Sequence, residues 1–108
     1  MIVDITPIFY DLLVDIAALD YTDLINTSLM IQFMDHVNKR DEFVVHYKDT
    51  LYFKTVDELF LGSMDYFRRR GMQSEFDLIE FCINKMRQYI SFDENLDEIN
   101  DFISRIKF

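Results

Sequence analysis

Glycine and proline are nearly absent, with two and one respectively in 108 residues. Folds built from many tight turns need more of both, so an all-β architecture is disfavoured and helices with short connections are expected. Tryptophan is missing altogether. The lone cysteine, Cys82, excludes an internal disulfide and fits a reducing compartment. No apolar run approaches the roughly 20 residues of a membrane span. The first residues carry no Lys or Arg, so a signal peptide with a basic leading region is not expected either. A cytoplasmic protein without membrane attachment follows as the expectation.

What is abundant is apolar mass and acid. Half the residues are hydrophobic, including eleven Phe and six Tyr, which is enough for a core in one domain spanning 1–108. Twenty acids against eleven bases give a net charge of −9. The imbalance is uneven: residues 1–38 hold six Asp and no base, whereas residues 39–72 hold seven bases and six acids. Direct binding to a nucleic acid backbone needs a basic footprint and is disfavoured. Anionic membrane surfaces are disfavoured for the same reason.

The stretch Phe43–Lys54 alternates with period two and is rich in β-branched and aromatic residues, as a hairpin should be. Parity puts Phe43, Val45, Tyr47, Leu51 and Phe53 on one face, toward helices, and Val44, His46, Tyr52 and Lys54 on a mixed second face. Pairing Tyr47 with Leu51 and Val45 with Phe53 leaves the three-residue loop Lys48-Asp49-Thr50. Thr50 suits the left-handed position of such a loop poorly, and a five-residue loop keeps the same parity. Residues 1–5 read as an extended segment able to pair with a hairpin edge.

Elsewhere apolar residues recur every three or four positions, the helical period. Thr6-Pro7 reads as an N-cap and first helical residue, followed by Ile8, Leu12, Ile16 and Leu19 on a stripe widened by Phe9, Leu13 and Ala17. Thr55 with Glu58 reads as a capping box, and Arg68-Arg69-Arg70-Gly71 as a helix end. The expected fold is α+β, mainly helical. About five helices (roughly 7–19, 23–37, 56–70, 75–90 and 94–106) pack on one β-hairpin (roughly 43–54).

No reaction is written into these residues. His36 and His46 are the only histidines and have no spaced metal partner, so neither a metal nor another cofactor is expected. Cys82 lies at an apolar stripe, where a free cysteine acts as a small hydrophobe. No glycine-rich phosphate loop exists, and no carboxylate pair stands apart in so acidic a chain. An enzyme is not expected.

Two charged features remain. Arg68, Arg69 and Arg70 either complement a helix dipole and neighbouring acids or contact an acidic partner or phosphate. Consecutive residues fan by about 100° each, so the three cannot all face one ligand. Glu94, Asp97, Glu98 and Asp101, with Asp93 beside them, share one helix face, and Asp11 and Asp15 repeat the four-residue step on the first helix. Steps of about 4.5–6 Å along a helix axis approach the phosphate spacing of a nucleic acid strand. Such faces either keep the protein soluble or occupy the basic groove of a nucleic-acid-binding enzyme. In composition the chain is similar to small acidic proteins that viruses and phages direct against host nucleases, restriction systems or polymerases. That similarity implies a non-enzymatic inhibitor or adaptor with a protein partner, acting by nucleic-acid mimicry. The alternative is a structural or assembly protein, a homodimer or small chaperone, that uses the apolar first helix as its interface.

Overall fold

The computed structural model describes residues 1–89. They form an α+β, mainly helical fold: β1 (Ile2–Asp4), α1 (Thr6–Ala18), α2 (Tyr21–Ile25), α3 (Ser28–Asn38), β2 (Glu42–His46), β3 (Thr50–Phe53), α4 (Val56–Arg69) and α5 (Gln73–Tyr89). The helix expected over 94–106 lies outside the described residues. The sheet order is β1-β2-β3, with β1 parallel and β3 antiparallel to the central strand. The extended segment at residues 1–5 does pair with the hairpin, through Val3 opposite Phe43.

The hairpin keeps its expected faces but not its expected pairing. Val45 lies opposite Leu51 and Phe43 opposite Phe53, so the loop is Tyr47-Lys48-Asp49. A shift of two residues preserves the side of the sheet on which every side chain falls. The cause is Tyr47, which leaves the strand to pack on α4. Its ring stacks on Tyr66 at 5.3 Å and meets Phe67 edge-on at 4.8 Å, and its hydroxyl donates to buried Ser63 at 3.0 Å. Thr50 becomes a strand residue, so the unfavourable left-handed threonine never arises.

Helix ends differ from expectation in instructive ways. Ile5, not Thr6, occupies the N-cap of α1; Asp4 Oδ1 accepts the Thr6 amide at 2.9 Å, and the Thr6 hydroxyl instead accepts His46 N–H at 2.8 Å. The single helix expected over 23–37 is two. Asp20 caps α2, and Thr27 donates to Leu24 O at 2.8 Å while accepting Met30 N–H at 3.1 Å, closing one helix and opening the next. Thr55 caps α4 as expected, but Glu58 reaches the amide of Lys54 at 2.9 Å, one residue earlier than in a capping box.

Both α3 and α4 end in the same reversal. In α4, Gly71 N–H bonds Arg68 O and Met72 N–H bonds Phe67 O, with Gly71 at φ 67°. In α3, Arg40 N–H bonds Val37 O and Asp41 N–H bonds His36 O, and the left-handed residue is Arg40 at φ 58°. A side chain there costs about 1–2 kcal/mol relative to glycine. The hydrophobic contact that usually spans this motif is replaced by a polar one, His36 Nδ1 to Asp41 Oδ2 at 2.9 Å.

The core between sheet and helices is aromatic: Phe9 meets Phe60 at 5.4 Å, and Phe33 lies 5.8 Å from Phe43 and 6.1 Å from Phe60. Gly62 of α4 lets the β3 arm approach, since a Cβ there would sit 2.3 Å from Phe53 Cε1. Alanine normally favours a helix over glycine by about 1 kcal/mol. At this position the overlap reverses the sign, and Gly62→Ala should destabilise by about 1–2 kcal/mol in urea unfolding. Adding Phe53→Leu to make room should recover most of that loss.

Candidate functional site

The first helix is held from its C-terminal end. Lys85 Nζ of α5 donates to the carbonyls of Ile16, Ala17 and Leu19 at 2.8, 3.2 and 2.5 Å. Three residues earlier, Cys82 Sγ donates to Leu13 O at 3.1 Å, and the rings of Tyr21 and Tyr89 lie 5.5 Å apart. Helices α1 and α5 therefore run side by side in the same direction. Aligned dipoles repel, and an ammonium at the negative end of α1 offsets that. Sequence reading passed over Lys85, whose signal was a lone cation three residues beyond Cys82 at the flank of an apolar stripe.

Phe9, Leu12, Leu13 and Ile16 are buried, which settles which face of α1 looks outward. Tyr10 is 60% exposed, Asp11 and Val14 are exposed beside it, and Asp15 is half-buried one turn on. Asp11 and Asp15 make no ion pair among the described residues. Asp20 and Asp23 follow directly, tied to each other by the N-cap bond from Asp23 N–H to Asp20 Oδ1 at 2.9 Å. Asp93, Glu94, Asp97, Glu98 and Asp101 lie outside the described residues.

The three arginines of the basic cluster share two carboxylates at the surface. Asp65 receives Arg68 at 2.5 Å and Arg69 at 2.9 Å, and Arg70 pairs with Asp49 of the hairpin loop while its guanidinium lies 5.5 Å from the Tyr66 ring centre. The Tyr66 hydroxyl donates to Asp49 Oδ2 and accepts Asp49 N–H, both at 3.2 Å. Arg70 thus fastens the loop to α4. Lys39 is matched in the same way by Asp35 at 2.8 Å.

The remaining chemical candidates are each placed by a neighbour. Burial pushes the Cys82 thiol up to about 12, so it stays protonated at neutral pH. His36 is joined to Asp41, which is only 6% exposed and also has the chain's first amino group 3.5 Å away. His46 stands on the open side of the sheet with Asp4 Oδ2 3.4 Å from Nε2 and Thr50 Oγ1 3.0 Å from Nδ1. Among the described residues no group of three or more His, Cys, Asp or Glu side chains is placed to hold a metal ion. Nor is any helix among them long and apolar enough to cross a membrane. No family model matches the chain, and no curated protein or solved structure does.

The His36 hydrogen bond holds the Asp41 carboxyl below the ordinary aspartate value. A depressed carboxylate contributes stability above its unfolded pKa of about 3.9 and loses it as pH falls through the lower folded value. Wild type should therefore be more stable than Asp41→Asn at pH 6, and the gap in urea midpoint should close below about pH 4. A gap that stays constant down to pH 2 would show that the carboxylate's charge contributes nothing.

Proposed function

We propose that the chain is a small acidic protein-binding module, an inhibitor or adaptor whose α1 face occupies a basic, nucleic-acid-binding surface of a partner enzyme. The observation that carries this reading is the distribution of compensated charge. Arg68, Arg69, Arg70 and Lys39 pair with carboxylates of the chain itself at its surface, and Lys85 is engaged by helix carbonyls. Asp11 and Asp15 have no such partner among the described residues; Asp11 is exposed with Tyr10 and Val14, and half-buried Asp15 lies one turn on. Carboxylates one helical turn apart, about 6 Å along the axis, suit a row of Lys or Arg side chains that otherwise grip phosphates. The neighbouring tyrosine ring suits the aromatic surfaces on which bases stack.

In this reading the chain works in the cytoplasm, as phage and viral proteins directed against host nucleases or restriction systems do. A second reading, self-association through α1, draws on the exposure of Tyr10 and Val14. The two differ in their response to salt: charge-driven capture weakens as salt rises, whereas apolar self-association does not.

The test is binding to a panel of purified nucleases, restriction enzymes and polymerases, measured from 50 to 500 mM salt with duplex and single-stranded DNA as competitors. Asp11→Asn/Asp15→Asn should weaken binding about tenfold, mainly through slower association. DNA should compete with the protein for its partner. Binding that ignores salt, DNA and both substitutions would overturn the mimicry reading. Sedimentation of the same variants then reports self-association separately.

A further inference from the structure

We propose that Asp4, His46 and Thr50 form an acyl-transfer site on the open face of the sheet, with Thr50 Oγ1 as the acyl acceptor. This goes beyond the binding function and does not involve the α1 strip. The three strands each supply one member: Asp4 ends β1, His46 ends β2 and Thr50 begins β3, directly opposite His46. The sheet register alone brings them together from positions 4, 46 and 50 of the chain.

The distances place the three groups in order. Asp4 Oδ1 is occupied by the Thr6 amide, which leaves Oδ2 to face His46 Nε2 at 3.4 Å. In the proposed arrangement the imidazole carries its proton on Nε2, toward a carboxylate that only accepts. Nδ1 then carries the lone pair, and Thr50 Oγ1 at 3.0 Å donates to it. Nucleophile, base and orienting carboxylate are thus connected in the order that nucleophilic catalysis requires. The His46 backbone is fixed in turn by its bond to Thr6 Oγ1 at 2.8 Å.

The cluster is open to a reactant, with the side chains of His46 and Asp4 about half exposed at 50% and 51%. In the next row of the same face, Val44 lies between Asp4 and Tyr52. Tyr52 is itself an exposed ring, so the two offer an apolar platform for the flat or aliphatic part of an ester. The reaction is addition of Thr50 Oγ1 to the ester carbonyl as His46 Nδ1 takes the hydroxyl proton. The acyl–oxygen bond then breaks as the His46 imidazolium returns that proton to the departing oxygen, the alcohol or phenol leaves, and the acyl group remains as an ester of Thr50. Water assisted by the same imidazole releases it as the carboxylic acid and restores Thr50.

The test uses the full chain with p-nitrophenyl acetate at pH 7.5, following nitrophenolate release and locating acetyl groups by peptide mass mapping. Acetylation should concentrate at Thr50, disappear in Thr50→Val and persist in Thr50→Ser. It should fall roughly tenfold or more in His46→Gln. Asp4→Asn should slow it and Asp4→Glu should restore it, which marks Asp4 as a positioning residue. Melting curves of each variant establish that the fold is retained, and Thr50→Ser tests the site without removing the hydroxyl. An absence of acetyl at Thr50, an unchanged rate in His46→Gln, or nitrophenolate release at the wild-type rate by Thr50→Val would each overturn the proposal.

Discussion

One ammonium group decides how the helical layer is assembled. Lys85 ends α1 by taking three of its last carbonyls, and in doing so it sets the register of α5 along α1. Those carbonyls have no partner within their own helix, and no basic side chain lies in the last turn of α1 itself. Cys82 and the Tyr21–Tyr89 pair repeat the same alignment above and below. Because α5 also packs on α4, and α4 holds the hairpin through Tyr47, Tyr66 and Arg70, the register set at Lys85 carries through to the sheet.

The same use of cations explains the surface. Two cations join separate elements, Arg70 on the hairpin loop and Lys85 on α1, while Arg68 and Arg69 pair with Asp65 along the exposed face of their own helix. Charge neutralised in this way contributes to assembly and little to long-range attraction. Asp11 and Asp15 of α1 make no ion pair among the described residues and add to the negative field of the chain.

Several local signals were readable directly from the sequence, although the Thr27 cap that divides 23–37 into two helices, equally local, was not. Thr55 capping α4, Gly71 closing it, and the alternation of Phe43, Val45, Leu51 and Phe53 all work within a few residues, and each was legible. Tertiary acts were not. Tyr47 shifted the strand pairing by two residues through contacts with Ser63 and Phe67, which lie far along the chain. The Thr6 hydroxyl accepts a backbone amide forty residues away instead of capping its helix. Arg40 in a left-handed position was illegible for a related reason: its motif is stabilised by His36 and Asp41 rather than by a glycine. Of the site residues, Asp11 and Asp15 could be placed on one helix face from spacing alone. The meeting of Asp4, His46 and Thr50 required the strand order.

The most direct test of this account is the unfolding free energy of Lys85→Met, which keeps the apolar stem and removes the ammonium. Loss of charged hydrogen bonds at the end of α1 should lower stability by about 2 kcal/mol in urea. Amide exchange should accelerate most in the last turn of α1 and in the part of α5 beside it. A Lys85→Met variant as stable as wild type, with unchanged exchange in both helices, would contradict the claim that Lys85 sets the register of the helical layer.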